Sequence, residues 1–599
     1  MSHRAGIGRV LHTTIPSPDP HHPQGVWITA AGVQIRCQPR ATSVGGVLRG
    51  SALLRHRPDT ALICGAIGAL VAAGVWLVGL LGGDAPAHLF QTWLFSHASF
   101  QLWNNDWYSG RYDFVSYSLL YYPLASVVGE RALTVVAAFV LAGSFCAVVE
   151  RQWGGPARAP AVAFAVLTTF ATMAAGAFPF LAGAASASLA LALIQRRRRV
   201  GFGVCAAVTL AFSPLALALL VALLAGLALG DPHPREVIAR NRLALGAVGA
   251  VLLVGVLAQR VFPSGGWYPF SLNDAAEVLA FSLAGIWMAG KTQRARPLRA
   301  VFIVYLVLNV GAFAVHGPLG ANTTRLMSLA GLPLLWLASN VGRRSARLAI
   351  PVLLIATMLQ MGPIARQAYA AWVNPSDSAA FWRPAVEFLK QQGDNQNRVE
   401  VVATADHWEA YYLAKRGIPL ARGWFRQDDF PQNQVLYAAH LTGFAYRNWL
   451  RSLGVRYVVL PNAPLDPSAV QEAALLQSGD SGLDLVERTG NLTIFQLPDP
   501  TSIVSGPPGA SGRLVSLANG QVRFHASAPG RYVVRVRFSP YWTAQESGVC
   551  IAESADGMMD IDVAQAGPVD LQMQPGVESM AEALIDSQDP CPISGGPPT

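Results

Sequence analysis

The sequence has 599 residues, which is long enough for several domains. Only 13% of the residues are charged, against about 25% in soluble proteins, while 52% are hydrophobic and the mean hydropathy is +0.35. This composition excludes an ordinary soluble protein and indicates an integral membrane protein. The formal charge of +9 does not indicate a nucleic-acid partner, because the basic residues form short clusters between apolar segments rather than one patch.

The N-terminal segment 1–58 is rich in Pro, His, Gly and Arg and has no sustained periodicity. Such a composition predicts a disordered tail, which the positive-inside rule places in the cytoplasm. The apolar run that follows, 60–82, is too long and too far from the N-terminus for a signal peptide. We therefore expect it to be the first membrane anchor.

A membrane domain is predicted over 59–363. Apolar segments recur at 60–82, 130–149, 159–176, 180–195, 201–213, 215–230, 243–262, 276–290, 300–316, 325–340 and 348–363. Arginine clusters lie between them, and all of these clusters fall on the cytoplasmic side only if 201–230 forms a hairpin at Ser213-Pro214. A single kinked helix there is the alternative. The hairpin gives a polytopic α-helical protein with about 11 transmembrane helices.

The first outer loop, 83–129, has the most unusual composition in the chain. Between Gly83 and Pro123 it holds three Asp, two His, three Trp and five Tyr residues. Asp84 and His88 are four residues apart and share a face if a helix begins there. A carboxylate at this place can accept a proton from an incoming hydroxyl or hold a divalent ion, whereas the plainer interpretation is that Asp84 caps the helix.

Further along the same loop, aromatic and charged residues alternate. The tryptophans beside the acids suit stacking on a sugar whose hydroxyls the carboxylates bind, or an interfacial aromatic belt beside acids that cap loops. Candidate substrate-binding residues here are Trp107, Tyr108, Asp113 and Tyr122, and Asp106 is a second candidate catalytic acid. Arg111 suits a phosphate, although pairing with Asp113 is the plainer interpretation. We expect the apolar stretch 114–128 to be interfacial or re-entrant.

The turn 316–325 is predicted on the same outer side as this loop. It ends at Arg325, at the edge of the membrane. An arginine there can receive a lipid phosphate or simply extend its side chain toward the headgroups.

From about residue 375 the composition becomes that of a soluble protein. Alternating strand and helix patterns predict an extracytoplasmic α/β domain over 375–498, with strands at 399–405, 455–461 and 492–497. Runs of strict alternation after a Pro/Gly/Ser linker predict a β-sandwich over 510–585. Cys550 and Cys591 fall in this region, where an oxidising exterior permits a disulfide; two unpaired thiols are the alternative.

Within the α/β domain, 403–429 is dense in polar and aromatic residues, including His407 and Arg422. If this surface folds back over the membrane domain, these two residues are candidates for acceptor recognition. An internally satisfied polar surface between domains is the alternative. The sequence contains no P-loop, no Rossmann glycine pattern, no HExxH and no nucleophile elbow, which argues against a soluble-type nucleotide enzyme.

With these motifs in view, the chain resembles the GT-C superfamily of polytopic glycosyltransferases. It is most similar to the bacterial branch labelled YfhO-like or 6-pyruvoyl-tetrahydropterin synthase-related membrane proteins. The resemblance covers most of 59–580 and is carried by GDAPAH (83–88), YSLLYYPL (117–124), FPSGGWYPF (262–270), NTTR (322–325) and the SPYW of the sandwich (539–542).

The resemblance implies a glycosyltransferase of the bacterial plasma membrane that moves a sugar from a polyprenyl-phosphate donor to an envelope glycan or lipid acceptor. It places the general base or metal ligand at Asp84 and a second acid at Asp106. The first loop lacks the paired acids of better-known branches, so a divalent cation, Mg or Mn, stays an open possibility. The alternatives are a lipid or glycolipid transporter and a non-catalytic envelope assembly protein.

Overall fold

The computed structural model describes residues 59–585, apart from 116, 264, 265 and 394. The predicted tail 1–58 lies outside the described residues, and so does Cys591. The disorder of that tail and the pairing of Cys550 with Cys591 therefore stay predictions.

The chain is mainly helical from residue 60 to residue 373. Its elements are α1 (Thr60–Val78), α2 (Ala85–Ala98), β1 (Trp103–Asn104), β2 (Arg111–Tyr112), α3 (Tyr121–Val128), α4 (Glu130–Trp153), α5 (Arg158–Ala174), α6 (Phe178–Gln195), α7 (Arg199–Phe212), α8 (Pro214–Leu229), α9 (Pro234–Arg240), α10 (Arg242–Val261), α11 (Leu272–Ala289), α12 (Arg296–Ala314), α13 (Arg325–Gly342) and α14 (Ala346–Val373). The last of these extends well past the predicted end at residue 363.

Within the described residues, seven helices are long and apolar enough to cross a membrane: α1, α4, α5, α6, α10, α12 and α14. The helices α7 and α8 are apolar but shorter. The chain is thus a multi-helix membrane protein. The count of about 11 crossings would add α7, α8, α11 and α13, and it stays a prediction.

The segment 201–230 forms two helices that run in opposite directions. Helix α7 begins beside the end of α6, where a Cβ on Gly201 would contact Leu193. The junction at Ser213 lies beside the start of α6, next to Gly183. Helix α8 then ends against the first residues of α12 at Gly230. The hairpin interpretation therefore describes the backbone, and the single kinked helix does not.

Small residues let the first and fourth helices pack closely. A Cβ on Gly68 of α1 would lie 2.8 Å from the carbonyl oxygen of Ala138 on α4, and one on Gly143 would lie 3.0 Å from that of Ala61. Such close backbone approach is the usual way in which membrane helices gain packing contacts, because lipid offers no hydrophobic drive for association.

The α/β domain follows α14. It contains α15 (Ala379–Gln391), β3 (Arg398–Val401), α16 (Glu409–Tyr412), α17 (Arg426–Gln432), α18 (Gly443–Ser452), β4 (Val455–Pro461), α19 (Val470–Ser478), β5 (Asp484–Arg488) and β6 (Leu492–Gln496). The strands form one sheet in the order β3-β4-β6-β5, with β3 and β4 parallel and the other pairs antiparallel. Helix α16 is short, since it ends at Tyr412 and only a 3-10 turn follows before Gly417.

The last region is a sandwich of two four-stranded antiparallel sheets. Its elements are β7 (Val504–Ser505), β8 (Gly512–Ala518), β9 (Gln521–Ala526), β10 (Gly530–Arg537), β11 (Trp542–Ala544), β12 (Val549–Glu553), β13 (Met558–Val563), β14 (Gly567–Met573) and a final helix, α20 (Val577–Ile585). The sheets have the orders β12-β13-β10-β7 and β11-β14-β9-β8. Alternate residues of both sheets fill one apolar core, as the sequence alternation predicts.

The first outer loop lies between these two regions. Its β1–β2 ribbon contacts the sandwich through the edge-to-face rings of Trp103 and Trp542, 5.7 Å apart, and through Asn105, whose N–H donates to Asn519. On its other side the loop packs against the α/β domain around Phe425. The loop is therefore one part of the membrane domain to which both later regions attach.

Candidate active site

Asp84 occupies a tight turn between α1 and α2. The backbone N–H groups of Gly82 and Asp84 donate to the carbonyl oxygens of Ala174 and Ala175 at the end of α5, at 3.1 and 2.9 Å. Asp84 stands at the N-cap position of α2, but its side chain makes no capping hydrogen bond. Instead, its Oδ2 accepts a hydrogen bond from Nη2 of Arg325 at 2.8 Å. The plain capping interpretation of Asp84 is therefore wrong.

Arg325 is held in place by the start of α13. The 3-10 turn before it is fixed by Thr323, whose hydroxyl donates to Asn309 at 2.8 Å and whose carbonyl accepts from Tyr305 at 2.9 Å. The side chains of Arg325 and Asp84 are 22% and 24% exposed. This pair, which joins residues far apart in the sequence, is thus ordered by buried contacts but still reachable from outside.

Aromatic side chains surround the pair. The guanidinium carbon of Arg325 lies 5.7 Å from the centre of the Phe180 ring. Tyr117 of the first outer loop and Tyr268 of the loop after α10 are close enough for both charges of the pair to act on them. Burial, the largest cause, raises the pKa of Tyr117 to about 12 and also raises the pKa of Tyr268. Both hydroxyls therefore stay protonated and can donate hydrogen bonds.

His88 lies one turn after Asp84 on α2 and is buried. Its Nδ1 lies 3.1 Å from the hydroxyl of Tyr122, and its ring stacks on Tyr117 with 5.4 Å between centroids. Burial lowers the pKa of His88 to about 4 in spite of Asp84, which raises it. The imidazole is therefore neutral at pH 7 and does not compete with Arg325 for the carboxylate.

An apolar cavity begins beside this pair. It lies among α4, α5, α6, α8, α12 and α13. Arg325 and Leu326 line it at the end near Asp84, while Gln152, Trp153 and Gln195 line it at the other end of the same helices. Between these ends its wall is made almost entirely of aliphatic and aromatic side chains. The pair thus places a charged group at one end of an apolar cavity that follows the helices across the bundle.

A second arginine of the loop forms a quite different arrangement, which we call the buried arginine cluster: Arg111, Asp113 and Asp428. Arg111 donates to Asp113 at 3.2 Å and to Asp428 at 2.9 Å, and its guanidinium lies 4.1 Å from the centre of the Phe425 ring. All three charged side chains are at most 5% exposed. The phosphate role expected of Arg111 is corrected here, because its donors face carboxylates inside the protein.

The other residues expected to bind a sugar are also packed inside. Trp107 is buried against Phe90, with 4.6 Å between ring centroids, and its Nε1 donates to the carbonyl of Ala410. The hydroxyl of Tyr108 accepts from the N–H of Phe425 at 2.9 Å. With no open ring face, neither Trp107 nor Tyr108 can stack on a ligand in this conformation.

Asp106 is not brought to the Asp84–Arg325 pair. Its carboxylate accepts a hydrogen bond from Asn519 of the sandwich at 3.3 Å, and its carbonyl accepts from Leu420 of the α/β domain. Burial, the largest cause, raises the pKa of Asp106 to about 6. The structure therefore gives this acid a place between the two later regions rather than beside the candidate base.

His407 and Arg422 are inside the α/β domain. Arg422 pairs with Glu400 at 2.7 Å and with Glu472 at 3.0 Å, both buried. His407 stacks on Trp424 with 3.6 Å between centroids. These contacts match the alternative of an internally satisfied polar region and remove both residues from a surface that could contact an acceptor.

The residues at the pair do not fit a divalent cation. Among the described residues, no three His, Cys, Asp or Glu side chains converge as metal ligands. The carboxylate of Asp84 already faces a guanidinium, whose charge repels a cation. No step of the chemistry considered for this site runs through a metal.

No protein-family model matches the chain. No curated protein matches it either.

Among solved structures, the arabinofuranosyltransferase AftD from Mycobacteria is similar at 13% identity and a TM-score of 0.40, over 86% of this chain and 57% of that chain. The chain thus spans little more than half the length of that protein. The Archaeoglobus fulgidus oligosaccharyltransferase tethered with an acceptor peptide has 12% identity and a TM-score of 0.38, over 67% of this chain and 69% of that chain. At such TM-scores the likeness assigns neither family nor function, which must be argued from the site.

Sequence reasoning missed the two tyrosines that face the pair. Tyr117 and Tyr268 lie in the motifs YSLLYYPL and FPSGGWYPF, which were noted only as whole stretches. Their shared feature is position, since each lies in a loop on the same side of the bundle as Asp84. The signal that could have found them is the presence of aromatic hydroxyls in two separate loops predicted on the outer side.

Proposed function

We propose that this protein is a membrane glycosyltransferase that moves a sugar from a polyprenyl-phosphate donor to a hydroxyl of an extracytoplasmic envelope acceptor. One observation carries the proposal: Arg325, which pairs with Asp84, lines one end of the apolar cavity. The apolar cavity suits a hydrocarbon chain, the guanidinium suits a phosphate, and the carboxylate suits the hydroxyl that attacks.

Both parts of a lipid-linked donor, its prenyl chain and its phosphate, fit this arrangement. The prenyl chain lies among the helices, where it replaces lipid contacts without exposing apolar surface to water. Its phosphate reaches Arg325, whose guanidinium has five N–H donors and can serve a carboxylate and a phosphate together. Tyr117 and Tyr268, whose hydroxyls stay protonated and which both feel the charges of the pair, are the candidates for further donors.

The carboxylate of Asp84 then takes the proton of the acceptor hydroxyl. The acceptor oxygen forms a bond to the anomeric carbon of the sugar as the bond from that carbon to the phosphate oxygen breaks, with inversion. The electron pair of the broken bond stays on the polyprenyl phosphate, next to Arg325. This leaving group needs no acid, so one carboxylate and one arginine supply the charges that the step requires.

The proposal is tested with the purified full chain in lipid nanodiscs and a panel of labelled polyprenyl-phosphate hexoses and pentoses. We expect Asp84→Asn to lower transfer by roughly 10²- to 10⁴-fold, the usual contribution of a general base, with little change in thermal unfolding. Glu277→Gln, which changes an exposed carboxylate at the start of α11, is the matched control and should keep wild-type activity.

Normal transfer by the Asp84→Asn variant would remove this carboxylate from the mechanism. A wild-type protein that binds polyprenyl phosphate through Arg325 but transfers no sugar in the panel would favour the lipid-transporter alternative. Absence of both binding and transfer would favour the non-catalytic assembly protein.

A further inference from the structure

We propose that Asp406 of the α/β domain is a positioning residue for the candidate site, because it fixes the turn that aims Asp84 at Arg325. The consequence for sugar transfer rests on the function proposed above. The structural part stands on its own contacts: the Asp406 carboxylate is buried and reaches across to the turn between α1 and α2.

The link is a pair of hydrogen bonds made by the two oxygens of one carboxylate. Oδ1 of Asp406 accepts from the backbone N–H of Gly83 at 3.2 Å, and Oδ2 accepts from the side-chain amide of Asn374 at 2.8 Å. Gly83 directly precedes Asp84, and Asn374 follows the last residue of α14. Asp406 therefore ties the last long membrane helix and the α/β domain to the turn that carries the candidate base.

Three other parts of the chain lie close around this turn. Gly83 has a φ of +56°, and a Cβ there would lie 2.8 Å from both the carbonyl oxygen of Ala175 and the side-chain amide of Gln367. A Cβ on Gly82 would lie 3.1 Å from Oδ1 of Asp406 itself. The end of α5, the helix α14 and the α/β domain thus enclose the turn, and the Gly83 N–H is the point where the α/β domain acts on it.

Asp406 is itself held rigidly. The next residue, His407, has a φ of +56°, an unfavourable value for a residue with a side chain. Its ring is fixed by stacking on Trp424, and its nitrogens lie 3.2 Å from Glu409 and 3.4 Å from Asp466. Backbone strain of this kind persists only where the surroundings over-determine the conformation. The corner that presents Asp406 is therefore built by the interior of the α/β domain.

Because the Asp406 carboxylate bonds to the turn and to Asn374 but not to Arg325 or the cavity, its loss should misplace Asp84 while leaving Arg325 and the cavity unchanged. A displacement of about 1 Å at a reacting group can cost about 10²-fold in rate. We expect Asp406→Ala to lower transfer by about that factor and to leave the binding of polyprenyl phosphate within twofold of wild type.

Exchanging the side-chain types of Asp406 and Asn374 distinguishes a positioning role from general damage to the fold. In Asp406→Asn the new amide can accept from only one of the two donors, Gly83 and Asn374, and sets its own N–H against the other, so transfer should fall. Adding Asn374→Asp restores a donor and an acceptor at the same places, so the double variant should recover transfer to within a few-fold of wild type. Failure of this rescue, with a folded double variant, would overturn the proposal.

Two further readouts complete the test. If Asp406 acts through Asp84, then Asp406→Ala causes no additional loss of transfer in the Asp84→Asn background; an additive loss contradicts the positioning role.

Hydrogen exchange of the peptide over residues 80–88 should become faster in Asp406→Ala, whatever the activity. If the wild type transfers no sugar, the proposed function fails, and this exchange measurement alone decides: faster exchange supports the positioning role and unchanged exchange overturns it.

Discussion

The first outer loop contributes to two arginine–carboxylate contacts that use the same residue types and differ in their surroundings. The Asp84–Arg325 pair is about a quarter exposed and opens onto an apolar cavity. The buried arginine cluster is at most 5% exposed and joins the loop to the α/β domain. Residue type alone therefore does not separate a binding group from a structural one; accessibility and neighbours do.

The physical difference lies in what each group has left to bind. In the buried cluster one guanidinium faces two carboxylates and an aromatic ring, which offsets part of the cost of removing these charges from water. At the Asp84–Arg325 pair the charges keep contact with solvent and the guanidinium meets a single carboxylate. A ligand can approach the second arrangement but cannot enter the first without breaking it.

The largest effect on stability is expected from Arg111→Ala. This change leaves Asp113 and Asp428 as uncompensated buried charges, which typically costs 3–5 kcal/mol when one partner of a buried pair is lost. The contact between the first outer loop and the α/β domain should then loosen. Thermal unfolding of the purified protein, with proteolysis of the loop as a second readout, checks this. A melting temperature near that of wild type would show that the cluster does not hold the two parts together.

A smaller effect is expected from the protonation of His88. Because burial lowers its pKa to about 4, the folded protein binds fewer protons than the unfolded chain between about pH 4 and 6.5. The free energy of unfolding is therefore unaffected by this group above about pH 6.5. It falls as the pH decreases, by roughly 2 kcal/mol between pH 6.5 and pH 5. His88→Gln should reduce the loss of thermal stability on going from pH 7 to pH 5.

His407 is the control for that experiment, because its pKa is shifted in the opposite direction to that of His88. Burial, the largest single cause, lowers its pKa, but the nearby carboxylates of Asp466 and Glu409 outweigh burial and raise the pKa above its ordinary value. Its stabilisation is therefore present below its unfolded pKa and is lost as the pH rises through its folded pKa. His407→Gln should make the protein relatively less stable at low pH. The same direction of change in both variants would contradict the assignment of the two environments.

The smallest effect on stability is expected from Arg325→Ala. Its pair with Asp84 is partly exposed, and such pairs contribute at most about 1 kcal/mol. Thermal unfolding should therefore change little, while binding of polyprenyl phosphate is lost. Comparison of Arg325→Ala with Arg111→Ala in the same two assays tests the contrast directly. Equal destabilisation by the two changes would mean that both arginines are structural.

Much of the helical architecture could be predicted from local pattern. The helices begin within a few residues of the predicted segments, and the hairpin at Ser213-Pro214 follows from charge distribution along the chain. Strands such as Val455–Pro461 follow from apolar runs bounded by turn residues. These features depend on residues near each other in sequence, so their physical causes are visible in the sequence itself.

The sequence predicts the individual residues of the candidate site but not their pairing. Asp84 and Arg325 were each recognised, but their pairing joins residues 241 positions apart and depends on how α2 and α13 pack. The pairing of Arg111 with Asp113 follows from their spacing, whereas the role of Asp428 does not. Trp107 looked available for a ligand because the residues that cover its ring, Phe90 apart, lie more than 300 positions later.

The ribbon formed by β1 and β2 also has a consequence for how this protein matures. The ribbon emerges early in synthesis, yet its contacts are with Asp428, Asn519 and Trp542. Until those residues have been made, the rings of the ribbon lack these partners and Arg111 has Asp113 but not Asp428 beside it. The nascent chain must therefore carry this segment in an unfinished state through most of its translation.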